Sequence, residues 1–351
     1  MVFNSIFFIF CFLPVFMLIY YLVPGKLRNL LLFLGSLIFY AWGEPVYVIL
    51  MLFSSVFNYY MGAELERLYY DDRKQKINLI FSIIINLAVL VFFKYYGFLL
   101  NTIGGIIGIH IPHPELSLPI GLSFYTFRNL SYLFDIYLSK VSAQRNFLTF
   151  AVYSTMFPYT SAGPIVRYTD IETQLKQRTI NISKFGIGAE LFVKGLAKKV
   201  LLADNLSVLY SSICGHPQMS VFTSWLGILA YTMQLYFDFS GYSDMAIGLG
   251  KMLGFDFNKN FDYPYISTSV SEFWRRWHIS LGSWFRDYIY IPLGGNRVST
   301  LKHIRNILVV WALTGLWHGA SWNFVLWGVY YGLFLLLEKF VLQKYLKKIP
   351  S

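Results

Sequence analysis

The chain has 351 residues, of which 56% are hydrophobic and 13% are charged, and it carries a formal net charge of +11. Because soluble domains are roughly one quarter charged, this composition excludes an ordinary water-soluble domain. Apolar runs recur along the chain at about the 20 residues that a spanning helix needs, without the period-two alternation of a barrel strand. We therefore predict an all-α, polytopic membrane protein.

Five apolar runs fill the first part of the chain and predict its first helices: 3–23, 29–42, 46–63, 77–100 and 117–138. The first run has no basic residues before it and no small-residue cleavage motif, so it is predicted to be a retained span. Connections that contain Lys or Arg alternate with connections that contain none. By the positive-inside rule, the N-terminus and the connection 101–116 lie outside, and the basic connections are cytoplasmic loops rather than a nucleic-acid groove.

The next run, 147–166, breaks this alternation because it leads into the cations Arg167 and Lys176. It contains Pro158 and the pair Gly163-Pro164, which interrupt a helix. We predict a re-entrant segment that returns to the cytoplasmic side. Non-helical backbone at membrane depth is tolerated only where protein or a water-filled cavity covers it, so this segment also predicts a cavity.

Four further apolar runs follow at 185–210, 222–250, 271–293 and 306–340. The last run is too long for one upright span, and residues 318–321 (HGAS) near its middle predict a break. A cluster of lysines predicts a cytoplasmic C-terminal end, which requires a hairpin path: Lys339, Lys344, Lys347 and Lys348.

Four of the six histidines are predicted to be loop residues in contact with solvent. His110, His113 and His216 lie in connections placed outside, and His303 lies among cytoplasmic cations. The two cysteines of the chain cannot form a disulfide framework. No spacing of potential ligands predicts a metal site.

His318 differs from these four because it lies inside an apolar run. An ionisable side chain in such a run is costly and marks a functional site by default. Its ordinary pKa also lets a histidine accept and return a proton near neutral pH. The alternative is a histidine that bonds to a neighbouring helix for packing, which the small residues beside it would suit.

His278 lies in a segment rich in Trp and Arg, EFWRRWHISLGSWFRD at 272–287. That composition is typical of a helix at the bilayer interface, so an incidental role in an interfacial anchor and a functional role both stay open. Asp135, Asp238 and Asp244 also fall in apolar runs. They are consistent with structural pairs, a proton path or groups that orient an acceptor.

Seven stretches resemble one known family, in order along the whole chain: 1–24, 119–137, 162–168, 192–205, 235–255, 272–297 and 313–328. The most specific are EFWRRWHISLGSWFRDYIYIPLGGNR (272–297) and LTGLWHGASWNFVLWG (313–328). On these stretches the sequence resembles the membrane-bound O-acyltransferases, in the branch of the bacterial alginate O-acetyltransferase membrane subunit.

The resemblance implies a single transmembrane domain over 1–351, C-terminally truncated relative to the family, with re-entrant segments and a central tunnel in a multi-helix bundle. It implies that His318 is the catalytic histidine and His278 the second histidine of the active site. It further implies a multi-pass protein of the bacterial inner membrane that moves an acetyl group from a cytoplasmic donor to hydroxyls of an exported polysaccharide, such as alginate or peptidoglycan. Transfer is direct or proceeds through a periplasmic or extracellular acetyltransferase partner.

Acetyl-CoA is the expected donor, and no permanently bound cofactor is expected. In this chemistry His318 is the general base towards the acceptor hydroxyl, or it helps to form an acyl intermediate, while His278 orients groups or stabilises developing charge. The cations Arg275, Arg276 and Lys302 are predicted to attract the CoA phosphates, since Arg and Lys suit phosphate.

Three alternatives stay open. D-alanyl transfer to teichoic acid from a carrier protein is the alternative within the family, although the sequence IPLGGNR at 291–297 favours the alginate-type branch. A transporter or channel would show inverted repeats with paired broken helices, which the sequence lacks. A purely structural membrane scaffold leaves the cost of burying His318, Asp238 and Asp244 unexplained.

Overall fold

A computed structural model describes residues 1–114, 116–216 and 219–346 of the chain, and every regular element in these ranges is a helix. The α-helices, in chain order, are α1 Phe8–Leu22, α2 Arg28–Ala41, α3 Val48–Arg67, α4 Asp72–Ile107, α5 Leu122–Tyr137, α6 Phe147–Thr155, α7 Tyr168–Lys176, α8 Ile182–Ala197, α9 Asp204–Cys214, α10 Val221–Met252, α11 Val270–Arg276, α12 Ile279–Phe285, α13 Thr300–His318, α14 Trp322–Leu337 and α15 Gln343–Leu346. The all-α prediction is confirmed.

The five apolar runs of the first part of the chain become α1 to α5, as predicted. Among the described residues, three helical segments are long and apolar enough to cross a membrane: Val48–Arg67, Asp72–Ile107 and Trp322–Leu342. The assignment of each connection to one side of the membrane stays a prediction.

Several helix starts are encoded locally by a polar residue that precedes the helix. The side chain of each accepts a hydrogen bond from the backbone N–H three residues further on: Asp71, Asn146, Asn181, Ser220 and Ser269. Such caps satisfy donors that have no partner inside the first helical turn. The boundaries of α4, α6, α8, α10 and α11 therefore follow from short sequence signals.

The described residues form two compact units, the first from 1–55 and 146–260, and the second from 56–145 and 261–346. Within the first unit, α8 and α10 approach closely through glycines: a Cβ at Gly188 would lie 2.6 Å from the Gly248 carbonyl oxygen. Small residues allow such close backbone contact between helices.

Two carboxylates of α10, left open by the sequence, are paired with lysines inside the first unit. Asp238 lies 2.7 Å from Lys199, and Asp244 lies 2.6 Å from Lys198. We expected a purely structural reading to leave the cost of burying these two carboxylates unexplained. That expectation is wrong for both, because lysines of the adjacent helical segment supply the counter-charges. Neither carboxylate needs a catalytic role.

The interruption predicted in the run 147–166 is present in the first unit. Helix α6 ends at Thr155, a single 3₁₀ turn covers Phe157–Tyr159, and Gly163 adopts the left-handed region with φ of +96° before α7 begins. A left-handed backbone suits glycine, which has no Cβ. The return of this segment to the cytoplasmic side stays a prediction.

In the second unit, the predicted break in the run 306–340 is confirmed. Helix α13 ends at His318, residues 319–321 are not helical, and α14 begins at Trp322. The two helices run antiparallel and nearly touch, since a Cβ at Gly315 would lie 2.3 Å from the Phe324 carbonyl oxygen. The predicted hairpin path is therefore present, whereas Lys347 and Lys348 lie outside the described residues.

The run 271–293 is divided in the second unit into α11, α12 and a π-helical turn at Arg286–Tyr290. Trp284 of α12 stacks on Phe127 of α5 at a ring distance of 4.0 Å, and its Nε1 donates to the Phe127 carbonyl at 3.0 Å. The Tyr288 hydroxyl donates to both carboxylate oxygens of buried Asp135 at 2.8 and 2.9 Å. Asp135 therefore has a structural role that anchors this segment to α5.

Candidate active site

The candidate site is a cavity of about 800 Å³ that lies within the second unit. Segments from α11, α12, α13 and α14 line it, together with the turns that join them. Both His318 and His278 are among the lining residues. The structure therefore brings together the two histidines that the sequence singled out, although 40 residues of chain separate them.

His318 is the last residue of α13, directly before the break. Aromatic rings surround its imidazole: the ring centroid of Trp327 lies at 4.8 Å, that of Trp317 at 5.1 Å and that of Phe324 at 6.4 Å. No hydrogen bond to its ring nitrogens is present among the described residues. An imidazole held by ring contacts alone keeps both nitrogens available to a bound molecule.

The break that places His318 here depends on Gly319. A Cβ at this position would lie 2.2 Å from the Phe324 ring, so no larger residue fits without displacement. The backbone of Gly319 is extended, and its N–H closes the last turn of α13 on Gly315. The sequence around His318 thus ends the helix at the histidine itself.

His278 lies at the start of α12 with 2% of its surface exposed. Its backbone adopts the left-handed region, with φ of +46° and ψ of +55°. This conformation is uncommon for a residue with a Cβ and is concentrated at functional sites. The ring centroid of His278 lies 5.6 Å from that of Trp317, whose own ring contacts His318.

Part of the cavity wall is apolar and built from tryptophan, with Trp274 and Trp311 among the lining residues. The Trp274 ring packs edge-on against Trp311 at 4.7 Å, Tyr331 at 4.9 Å and Trp327 at 5.7 Å. The buried Nε1 of Trp274 has no acceptor among the described residues, so it is available to a molecule in the cavity. Aromatic walls with few polar groups are typical of ligand pockets.

The three cations predicted to attract phosphate occupy different positions. Arg275 is exposed and lines the cavity. Arg276 does not line it, because its guanidinium is bound to Glu272 at 2.7 Å and donates to the Asp262 carbonyl at 3.1 Å. Lys302 is exposed at the start of α13 and does not line it either. The structure therefore brings only Arg275 of the three to the cavity.

The ionisation state of the Glu272 carboxyl depends on its contacts with Arg276 and Thr268. A hydrogen bond from the Thr268 backbone N–H and one from Arg276 lower the pKa of the Glu272 carboxyl to about 2. The carboxylate is therefore ionised at neutral pH and holds Arg276 in place. This ion pair has a structural role at the edge of the site.

His303 was predicted to be a solvated loop residue, and this prediction is wrong. It lies in the first turn of α13 with 6% of its surface exposed. Its Nε2 is 3.0 Å from the Tyr290 hydroxyl and 3.1 Å from the Lys339 Nζ. Burial and the Lys339 ammonium lower the pKa of His303 below its ordinary value. The error arose because α13 begins six residues before the apolar run 306–340 does.

Three charged groups of the cavity were not predicted from the sequence: Arg286, Glu338 and Lys339. Arg286 is bound to its neighbour Asp287 at 2.8 Å. Glu338, adjacent to Lys339, accepts hydrogen bonds from the Ser271 N–H at 3.1 and 3.3 Å and so fixes the start of α11. The position of Glu338 and Lys339 at the end of an apolar run was the sequence signal that could have identified them as site residues.

The largest omission from the sequence prediction is Lys94, a lysine within the apolar helix α4. Its Nζ donates to the carbonyl oxygen of Trp317, the residue before His318. The Tyr95 hydroxyl donates to the preceding carbonyl, that of Leu316, at 2.6 Å. A lone lysine in an apolar run was the signal that could have identified it.

The remaining histidines lie away from the cavity that contains His318. His110 and His216 are exposed, as predicted. His113 is only partly exposed, because it packs against Gly97 and lies 3.1 Å from Asn101. His113 is therefore a loop residue with partial exposure to solvent, and its contacts were not predicted. No group of three or more potential metal ligands is present in the part of the chain that the structure describes.

His113 and Lys94 line a second cavity of about 810 Å³ in the same unit, together with residues 320–322. Residues on the two sides of Gly319 thus line two different cavities. A continuous tunnel between them stays a prediction. The first cavity can hold a molecule against an imidazole in apolar surroundings, with cations among its lining residues.

Comparison with known proteins gives a consistent result. The family model of the membrane-bound O-acyltransferases matches residues 41–347. A probable alginate O-acetylase of Pseudomonas aeruginosa is 45% identical over 343 residues, which cover 97% of this chain and 66% of the relative. A peptidoglycan O-acetyltransferase of Helicobacter pylori is 35% identical over 374 residues, which cover 97% of this chain and 70% of the relative.

A teichoic acid D-alanyltransferase of Bacillus subtilis is more distant, at 29% identity over 265 residues, which cover 69% of this chain and 64% of that protein. The chain spans about two thirds of the length of the curated relatives it matches.

Proposed function

Because the chain belongs to the membrane-bound O-acyltransferase family, we propose that it transfers an acetyl group from cytoplasmic acetyl-CoA to hydroxyls of an exported polysaccharide. The observation that carries the proposal is the position of His318, at the end of a broken helix and facing a cavity of about 800 Å³. Identity of 45% to a probable alginate O-acetylase, against 35% to a peptidoglycan O-acetyltransferase, favours an alginate-like acceptor.

His318 is the general base in this proposal. Its imidazole accepts the proton of the acceptor hydroxyl, the hydroxyl oxygen attacks the thioester carbonyl, and the carbon–sulfur bond breaks. The imidazolium then returns the proton to the departing thiolate. General base assistance of this kind typically contributes about 10²–10⁴ in rate. The available ring nitrogens of His318 support this role.

His278 is the second group of the proposal. It is buried, faces the same cavity and is held in an uncommon backbone conformation at the start of α12. Anchoring of α12 to α5 through Trp284 limits its movement. We assign it the orientation of the donor or the stabilisation of charge that develops on the thioester oxygen, because fixed polar groups in apolar surroundings serve this purpose well.

Three of the cations that line the cavity suit the phosphates of the donor. Arg275, Arg286 and Lys339 line it, and arginine and lysine are the usual partners of phosphate. The tryptophan wall of the same cavity suits the uncharged part of acetyl-CoA that carries the thioester. Arg276 and Lys302, which do not line the cavity, are not part of this site.

Acetyl-CoA labelled in its acetyl group tests the proposal in membranes that carry the full chain and are supplied with an unacetylated uronic acid polymer. We expect label in the polymer with the wild-type chain and none with His318→Ala. His110→Ala is the matched control, because it removes an exposed histidine outside the cavity. Label in the polymer with His318→Ala at the wild-type rate would refute the proposed role of His318.

The same assay separates the alternatives. Transfer that requires an added periplasmic extract would indicate a partner protein between this chain and the polymer. Transfer only from a D-alanyl carrier protein would favour the teichoic acid reaction named for the Bacillus subtilis relative. Label that enters peptidoglycan and not the uronic acid polymer would correct the acceptor alone.

A further inference from the structure

Lys94 is a cation inside α4, the longest apolar helix of the chain, and the proposed chemistry does not use it. A charged side chain in such a helix is costly and is retained where it has a function. Its ammonium donates to the Trp317 carbonyl, lies 3.4 Å from the Ser123 hydroxyl and lies 5.6 Å from the centre of the Trp317 ring. No carboxylate lies within ion-pair distance of it in the described ranges.

The position of these contacts along α13 is informative. The last carbonyls of a helix have no partner within the helix and form the negative end of its dipole. Two consecutive residues of α4 bind two consecutive carbonyls here: Tyr95 binds that of Leu316, and Lys94 binds that of Trp317. The next residue is His318, where the helix ends.

We propose that Lys94 is a positioning residue for acyl transfer: its ammonium holds the Trp317 carbonyl and thereby fixes the His318 imidazole. This imidazole lines the cavity of about 800 Å³ that is proposed to bind the acyl donor, here called the donor cavity. This inference rests on the proposed function, in which His318 is the general base. The neutral Tyr95 hydroxyl already holds the neighbouring carbonyl, so capping of the helix does not by itself require a cation.

Lys94 is not a residue of the donor cavity. It lines the second cavity, with Ser321 and Trp322 beyond Gly319. Its removal is therefore expected to leave binding of acetyl-CoA unchanged and to slow the chemical step. Since misplacement of a reacting group by about 1 Å can cost on the order of 10²-fold in rate, we expect kcat to fall roughly 10- to 100-fold.

The test measures kcat and KM for acetyl-CoA with the full chain in membranes, for Lys94→Met and Lys94→Arg beside His318→Ala. Methionine keeps the length of the side chain and removes its charge, whereas arginine keeps a cationic donor. Lys76→Met is the matched control, because it removes an exposed lysine from the same helix. If Lys94→Met does not accumulate in the membrane, Lys94→Gln replaces it and is judged by the same outcomes.

The expected result is a fall in kcat for Lys94→Met with KM within about twofold of the wild type, and partial recovery with Lys94→Arg. Wild-type kcat in Lys94→Met would overturn the inference, and so would a raised KM at unchanged kcat. Equal losses in both variants with lowered melting temperatures would show a structural role and would also overturn it. Full activity of His318→Ala would refute the proposed function itself, whereas an inactive His318→Ala beside a fully active Lys94→Met refutes the positioning role alone.

Discussion

Replacement of Gly328 by alanine should disturb the site, although Gly328 itself does not line the cavity. In the α13–α14 hairpin, a Cβ at this position would lie 2.3 Å from the Trp311 carbonyl oxygen and 3.1 Å from the Gly315 Cα, whereas ordinary contact begins at 3.4 Å. Both are backbone atoms, so neither can move aside by rotation of a side chain. The two helices must therefore separate by about 1 Å at this point, at a cost of roughly 1–3 kcal/mol for overpacking.

The consequence for activity follows from the neighbouring residue. Trp327 forms part of the ring wall that holds His318, at 4.8 Å between ring centroids. A shift of about 1 Å in this wall misplaces the imidazole, so we expect kcat for acetyl transfer to fall on the order of 10²-fold in Gly328→Ala. KM for acetyl-CoA should change little, because Arg275 and Arg286 belong to other segments and are not displaced.

Gly332→Ala is the matched control on the same helix. A Cβ there would meet the Leu308 Cδ2 and the Trp311 Cβ at 3.3 Å, both side-chain atoms that need to move only a few tenths of an ångström. Initial rates in membranes and thermal unfolding in detergent would be measured for both variants. Wild-type rates in Gly328→Ala, or equal losses in Gly328→Ala and Gly332→Ala, would refute the reasoning from close backbone contact.

Arg275→Ala should raise KM for acetyl-CoA severalfold at an unchanged melting temperature, because this cation lines the cavity and has no side-chain partner among the described residues. Arg276→Ala should instead lower the melting temperature at an unchanged KM, since its guanidinium holds Glu272; a reversed pattern in initial-rate and unfolding measurements would contradict both assignments. Tyr288→Phe removes the hydroxyl that donates to buried Asp135 and should destabilise the chain by about 1–3 kcal/mol in detergent unfolding. An unchanged unfolding midpoint would contradict this prediction, because it would show that other contacts stabilise the Asp135 carboxylate without the Tyr288 hydroxyl.

Most helices could be predicted from the sequence because their signals are local. Apolar runs marked α1 to α5, and polar residues such as Asn146 and Ser220 mark the helix starts directly. The break after His318 was equally visible, because glycine and serine interrupt an apolar run there. The division of the run 271–293 into α11 and α12 was not predicted, since it depends on the left-handed backbone of His278.

The site was predicted in part. His318 and His278 were identified as candidates, and the structure places both on one cavity. Lys94 was overlooked, because its contact with the Trp317 carbonyl joins segments more than 200 residues apart. The two arginines at 275 and 276 could not be separated, since adjacent helical residues point in different directions and only their surroundings decide which one lines the cavity.

The sequence by itself determined that the chain is helical and suited to a membrane, where the first five helices lie, and where the last long run breaks. These properties depend on composition, on periodicity and on the backbone preferences of a few residues. The tertiary structure alone decided that Asp135 meets Tyr288, that His303 is buried against Lys339, and that Lys94 reaches the end of α13. Each of these contacts joins side chains from distant segments, and their meeting depends on how whole helices pack rather than on any local pattern.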